Sequence, residues 1–280
     1  MLRPTLLRRI SYWVAISLTL GELGGLVLAT AAPLREAANQ GASPADQLAV
    51  SGNACGPAAL LNAFRFGDAN WQRAAAMARG DSDKAQLLAI IRTWGLRPSA
   101  HLSGRLRWTR QGVNVDDLCD MANEMTRGQV LPQVVDEVFI LQPGESAPEL
   151  LRRVHTRLAS SLARGLPPVI SLRRVALRSQ AGKPPSWVVV QGHFVTVTGV
   201  PRKLDRHAAS FSVTYVDPWG GKRGEGRLSI SQRAFLSGQA PASAVSPCLQ
   251  ADFPQANVGK ELLRTAEFSV LTLAAAIGKW

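Results

Sequence analysis

The sequence predicts an α+β fold, in which a helical half that carries a reactive thiol packs on an antiparallel β-sheet half. Apolar residues recur mainly with helical spacing up to residue 163, whereas runs rich in β-branched residues dominate after residue 168. No internal repeat or low-complexity linker divides the 280 residues, so a single domain is expected over residues 49–280. The two halves should meet in a cleft.

The first predicted helix starts at Cys55. Pro57 suits a first helical turn, where its missing N–H would be unpaired anyway, and Gly67 provides a stop. The residues between them include an apolar stripe, which indicates a buried helix. The same spacing rules predict four further helices, over residues 70–79, 82–94, 114–127 and 147–163.

Two β-rich runs, residues 193–200 and 210–217, flank a polar connection and predict an antiparallel hairpin. If the connection is centred near Asp205, the numbers of facing residues add to about 410, and His193 faces Asp217 across about 5 Å. A register slip of one residue would put them on opposite faces instead. The first of these two strands is predicted to extend back to residue 187. Further strands are predicted over residues 138–141, 169–172, 227–230 and 268–273, and residues 220–226 are predicted to form a flexible loop.

Cys55 has the setting of a nucleophile. Unpaired backbone amides and the positive dipole end at a helix start favour the thiolate, which is the form that attacks carbonyls. A nucleophilic thiol needs a base and a group that orients the base, and His193 with Asp217 can supply both. The alternative is that Cys55 only fills space, because free cysteine is among the most buried residue types.

Three motifs together point to a known group: CGPA from residue 55, GHFVTVTG from residue 192 and VDPWG from residue 216. With GLPPVISL from residue 165, they resemble the papain-like cysteine peptidases, closest to the double-glycine leader peptidases of bacterial export systems. The resemblance implies a papain-like fold and a peptide or protein substrate. It also implies that Cys55 is the nucleophile, that His193 is the general base and then acid, and that Asp217 fixes the imidazole tautomer.

One position departs from the resemblance. The family usually places an oxyanion-binding glutamine six residues before the cysteine, but Ala49 stands there, and the nearest glutamine is Gln47. Asn53, two residues before Cys55, is the alternative side-chain donor, alongside the backbone amide of Cys55 itself.

The other histidines and the cysteines do not predict a metal site or a cofactor. No Cys and His cluster has metal-ligand spacing. His155 flanks the apolar stripe of a predicted helix and should lie at the surface, and His101 and His207 fall in polar connections.

The N-terminus predicts export. Three arginines precede an apolar stretch that ends in Ala29-Thr30-Ala31, which is typical of a secretory signal over residues 1–31. Residues 32–48 would then form a loosely ordered leader, and the mature protein would be periplasmic or secreted. An uncleaved membrane anchor is the alternative, although Glu22 in its middle would disfavour insertion.

Export bears on the thiols, because an oxidising compartment permits a disulfide. Pairing Cys119 with Cys248 would leave Cys55 free. The alternative is that Cys119 is simply buried and reduced, since it falls on the apolar side of a predicted helix.

The formal net charge of +12 indicates attraction to anionic surfaces, such as those of a bacterial envelope. The basic residues are spread along the chain and aromatic residues are only 6 %, so nucleic acid is not predicted as a partner. The favoured function is an exported thiol hydrolase that cleaves a peptide or amide bond. An acyl transferase that uses the same thioester and a non-catalytic envelope-binding module are the alternatives.

Overall fold

The computed structural model of the protein describes residues 33–180, 183–235, 246–256 and 258–280. The predicted signal sequence over residues 1–31, with the alternative of an anchor, therefore lies outside the described residues. The chain from Ala32 to Trp280 forms one compact unit.

Strands account for most of the second half of the chain. The described residues form ten strands: β1 (Leu34–Glu36), β2 (Trp108–Thr109), β3 (Gly112–Val113), β4 (Val135–Val138), β5 (Val169–Gln180), β6 (Lys183–Pro201), β7 (Ser210–Asp217), β8 (Lys222–Phe235), β9 (Ser246–Asp252) and β10 (Ser269–Gly278).

Six of these strands close into an antiparallel barrel. The ring runs β6, β5, β10, β9, β8, β7, and β7 pairs back onto β6. The short strands β1 and β4 pair with β6 and β10 outside the ring. The papain-like α+β fold predicted from the sequence is therefore wrong, because the part of the chain that the structure describes is mostly a closed barrel with five short helices.

The observed fold differs from the predicted one because strands pair with distant segments, which local sequence patterns do not reveal. β8 begins at Lys222, inside the glycine-rich run that had been expected to form a flexible loop, and pairs with β7 on one side and β9 on the other. β9 had no strand prediction at all. Closure gives the backbone groups of each barrel strand a partner on both sides, and this long-range term outweighs the loop-like composition of residues 220–226.

Each predicted helix is present, with small shifts at its ends. The helix expected over residues 82–94 changes to a π-helical turn, Ile91–Gly95, after its first eight residues. The helices are α1 (Cys55–Arg65), α2 (Ala69–Met77), α3 (Asp83–Ile90), α4 (Val115–Met125) and α5 (Ala147–Ala163).

The helices pack on the barrel in two places. The apolar faces of α1 to α4 share one buried cluster with outward-facing barrel residues such as Val169 and Phe194. The apolar stripe of α5 belongs to the barrel core and contacts β1, β6, β8, β9 and β10. Because those strands lie on different sides of the ring, α5 covers one end of the barrel.

The predicted hairpin of β6 and β7 is present, with a different register. Thr196 pairs with Val216 and Val197 with Tyr215, so the facing numbers add to 412 instead of 410. A shift of two residues keeps side chains on their original face. His193 and Asp217 therefore share a face, as diagonal neighbours.

Residues 33–48 are packed on the domain and are not the loose leader expected from the sequence. β1 pairs with β6, and the buried Ala45 donates its N–H to Oδ1 of Asn62 at 2.6 Å. Backbone pairing and burial together fix this segment. Among the described residues, no helix has both the length and the apolar character needed to cross a bilayer.

Candidate functional site

Cys55 is the first residue of α1, and close packing at this end of the helix sets its position. The next residue, Gly56, has no side chain, and a β-carbon there would lie 2.3 Å from Cγ1 of Val113. One turn on, the hydroxyl of Thr196 donates a buried 2.7 Å hydrogen bond to the carbonyl of Ala59. These contacts hold the start of α1 against β6.

The two hairpin strands place an imidazole beside a carboxylate. Nε2 of His193 lies 2.7 Å from Oδ1 of Asp217, and the residues are only 4 % and 1 % exposed. The same oxygen accepts a 2.8 Å hydrogen bond from the backbone N–H of Trp219. Because a carboxylate accepts, Nε2 carries a proton, and Nδ1 is the ring nitrogen that remains for a second partner.

The thiol of Cys55 lines the same cleft as His193 and is itself partly exposed. Burial raises the pKa of the thiol, but the hydrogen bond and charge of His193 outweigh it, with help from the amides of Phe194 and Gly56. The pKa of Cys55 is therefore lowered.

The pKa of His193 is raised, in contrast to that of Cys55. Burial opposes its protonation, but the hydrogen bonds to Asp217 and Cys55 raise its pKa to about 9. A lowered thiol pKa and a raised imidazole pKa both favour the thiolate–imidazolium form of the pair.

A fully buried glutamine, Gln47, fixes the loop before Cys55. Its Nε2 donates a 2.6 Å hydrogen bond to the carbonyl of Gly52. Its backbone N–H donates at 2.8 Å to the carbonyl of Pro218. One residue thus ties the loop before the thiol to the loop after Asp217, a role that spacing along the sequence did not suggest.

Asn53, the predicted oxyanion donor, lies exposed at the edge of the site. Its Nδ2 donates to the carbonyl of Arg110, and its own carbonyl accepts a 3.0 Å hydrogen bond from Nε1 of Trp108. The side-chain amide is therefore already engaged with a neighbouring loop. The backbone N–H groups at the start of α1 are the better placed donors for an oxyanion.

A cleft of about 300 Å³ opens beside Cys55 and His193. Two residues that sequence reasoning did not assign to substrate binding line it. Trp219 is partly buried in its wall, and Gln191 has a buried Oε1 with no hydrogen-bond partner among the described residues. The two-residue period of a strand could have found Gln191, which lies two positions before His193 on β6.

The remaining histidines lie elsewhere. His155 is buried, with 7 % exposure, so the predicted surface position is wrong. Its Nε2 lies 2.7 Å from the carbonyl of Pro201, and its ring packs edge-on against Phe211 at 5.2 Å. His155 is buried because α5 lies across the end of the barrel. A helical sequence pattern does not reveal that position. His101 and His207 are exposed.

Cys119 is a free, buried thiol on α4, and its Sγ lies 3.4 Å from the carbonyl of Val134. It therefore has no disulfide to Cys248, whose side chain lies outside the part of the chain that the structure describes. Cys55 is also a free thiol.

One group among the described residues brings three potential metal ligands together. Ligand atoms of His101, Asp117 and Asp120 lie within 4.8 Å of one another. Asp120 already pairs with His101 at 3.1 Å and lies 3.8 Å from Arg107. Burial lowers the pKa of His101, but its bond to Asp120 outweighs burial and raises it. Ion pairing with His101 and Arg107 already engages the Asp120 carboxylate.

The structure thus places Cys55 beside the hydrogen-bonded pair His193 and Asp217 at a cleft, and leaves Asn53 at its edge with an engaged amide. Such an arrangement can attack a carbonyl carbon and return a proton to a leaving group. No protein-family model matches the chain, and no curated protein and no solved structure matches it. The resemblance to papain-like cysteine peptidases therefore stays a prediction from short motifs.

Proposed function

We propose that the protein is an exported thiol hydrolase that cleaves a peptide or amide bond with Cys55 as its nucleophile. The observation that supports the proposal is the hydrogen-bonded pair His193 and Asp217 in a cleft that Cys55 also lines, where His193 lowers the pKa of the thiol. The proposal rests on these side chains and not on a shared fold. Export is inferred from the N-terminal sequence alone.

In the first half of the reaction, the thiolate of Cys55 attacks the carbonyl carbon and the carbonyl π-electrons move onto oxygen. The oxyanion forms next to the N–H groups at the start of α1. When it collapses, the C–N bond breaks, and imidazolium His193 gives the proton from Nδ1 to the departing amine. The product is an acyl thioester on Cys55.

In the second half, neutral His193 removes a proton from water as the water oxygen attacks the thioester carbon. The C–S bond then breaks, and the carboxylic acid leaves with the thiolate regenerated. Throughout, Asp217 accepts the Nε2 proton of His193 as a hydrogen bond, which keeps Nδ1 directed at the reacting atoms. If an amine replaces water, the same thioester gives an acyl transferase.

The test uses p-nitrophenyl acetate, whose activated ester needs no specific pocket. We expect a rapid burst of nitrophenol, with an acetyl group on Cys55 by intact and peptide mass spectrometry. Adding a primary amine then separates the two chemistries, since a hydrolase releases acetate and a transferase releases the acetamide.

The matched control is Cys55→Ala, checked for an unchanged melting temperature. Nitrophenol release at the same rate in Cys55→Ala, or acetylation spread over surface lysines without a burst, would contradict the proposal and favour a binding module instead.

A further inference from the structure

A second pocket, of about 250 Å³, lies between α5, β1 and the C-terminal end of β6. Two arginines line it, Arg35 and Arg202, together with His155 and the small residues of one face of α5. No residue that lines it is acidic. The pocket is therefore a concave site with net positive charge.

Arg35 is the most informative residue of this pocket. It pairs with the core residue Val200, so its side chain is directed to the face that α5 covers. Its Nε is buried without a hydrogen-bond partner, and it makes no ion pair with any described residue. A partly buried guanidinium without a counter-charge is costly unless an anion binds it.

Arg202 is held in place beside it. Its Nε donates a 3.0 Å hydrogen bond to the carbonyl of Leu34 in β1, which leaves both Nη groups available. The hydroxyl of Ser160 on α5 is a further donor in the wall. Burial lowers the pKa of His155, and the positive charge of Arg35 lowers it further. The charge of Arg35 therefore acts on its neighbours without being neutralised.

We propose that this pocket binds a phosphate group, through the guanidinium groups of Arg35 and Arg202 and the hydroxyl of Ser160. Donors that approach from two strands and a helix suit a tetrahedral anion with several oxygens, and arginine pairs well with phosphate. A carboxylate has only two acceptor oxygens, whereas a phosphate group offers more of them in a tetrahedral arrangement.

The phosphate pocket is distinct from the cleft. The eight residue steps of β6 from His193 to Pro201 span about 25 Å of extended strand. The pocket lies beside β1, next to the start of the described chain. If the phosphate belongs to a lipid headgroup, its binding would attach the domain to an anionic surface and leave the cleft open. Phosphate binding here does not depend on whether the protein is a hydrolase.

The direct test is calorimetric titration of the full chain with inorganic phosphate. We expect saturable binding, weakened about tenfold or more in Arg35→Gln, because a charge-assisted hydrogen bond is lost. Arg73→Gln is the matched control, since Arg73 is an exposed arginine on α2 that bonds Asn70. It should bind phosphate as the wild type does.

A second pair of variants guards against misfolding of Arg35→Gln. Thr156 is exposed in the pocket wall, so Thr156→Glu adds a competing carboxylate and Thr156→Gln adds only its bulk. We expect Thr156→Glu to abolish phosphate binding and Thr156→Gln to keep it. No saturable binding by the wild type, or equal affinity in all four variants, would overturn the proposal.

Vesicles distinguish the sources of the phosphate group. The full chain and its variants are compared on phosphatidylcholine vesicles and on equal mixtures with phosphatidylglycerol. Association with the mixed vesicles that falls in Arg35→Gln but not in Arg73→Gln assigns the site to a lipid headgroup. Phosphate binding without that difference assigns it to a free phosphate ligand.

Discussion

The two free cysteines whose side chains the structure describes make the clearest comparison in the molecule. Both lie on helices, Cys55 at the start of α1 and Cys119 inside α4, and burial raises the pKa of both thiols. The net shifts of the two thiol pKa values nevertheless have opposite directions. The pKa of Cys55 is lowered, whereas burial and the nearby carboxylate of Asp136 raise that of Cys119 far above its ordinary value.

The sign of the surrounding charges decides the difference. Cys55 faces an imidazole and the backbone amides at its helix start, which stabilise a negative sulfur. Cys119 faces Asp136 with further acidic residues nearby, and its Sγ lies next to the carbonyl of Val134, which stabilises only the protonated thiol. Helix position alone therefore does not make a nucleophile. Five substitutions test this, with the largest effect on Cys55 expected for His193→Ala and the smallest for Cys119→Ala.

Replacing the imidazole of His193 should remove most of the difference in reactivity between Cys55 and Cys119. In His193→Ala, Cys55 keeps its burial but loses the partner that lowers its pKa, so its pKa should rise to or above the ordinary value. We expect the rate of Cys55 alkylation at pH 6 to fall by about a hundredfold or more. Stopped-flow labelling with iodoacetamide measures it. An unchanged rate would mean that the helix start alone activates the thiol.

Replacing the carboxylate should have a smaller effect. Asp217→Asn keeps an acceptor for Nε2 but removes the negative charge, so the pKa of His193 should fall from about 9. The imidazolium form of His193 then persists over a narrower pH range, because the ring loses its proton at a lower pH. We expect about a tenfold slower Cys55 alkylation at pH 7. The titration of His193 by NMR checks the cause, and a midpoint still near that of the wild type would contradict it.

The predicted oxyanion residue should matter less. Asn53→Ala removes an amide that is already bound to Arg110, so we expect acylation by p-nitrophenyl acetate to slow by less than about threefold. Gln47→Ala is the useful comparison, because that buried side chain fixes the loop before Cys55. It should slow acylation more than Asn53→Ala does. The reverse order would restore Asn53 as an oxyanion donor.

The second thiol should not affect the first. Cys119→Ala should leave Cys55 alkylation unchanged, while the lost contacts of its buried sulfur lower the free energy of unfolding by about 1 kcal/mol. Urea denaturation measures the second effect. A slower reaction at Cys55 in this variant would show that the two thiols are coupled.

The sequence predicted the local parts of this site and not the fold that carries it. The start of α1 follows from Pro57 and the apolar stripe, and the hairpin from its alternating residues, because both depend on neighbours in the chain. Barrel closure depends on β7 meeting both β6 and β8, and on β9 meeting β10, which no local pattern encodes. This is why the fold class was wrong.

In the candidate site, too, the features set by local sequence were predictable and those set by long-range contacts were not. The hairpin register differed by two residues, yet the strand period still put His193 and Asp217 on one face. The contact of Gln47 with Pro218, by contrast, joins segments 171 positions apart and could not be read from spacing. Burial of His155 depends likewise on how α5 covers the barrel.

The activation of Cys55 by His193 can be measured by the pH dependence of alkylation at each cysteine of the folded protein, resolved by peptide mass spectrometry without reductant. We expect Cys55 to be labelled rapidly well below the ordinary thiol pKa of about 8.5, and Cys119 to be labelled only after unfolding. If the two thiols react alike, or if Cys55 stays unlabelled at pH values where model thiols react, the activation of Cys55 by His193 is contradicted.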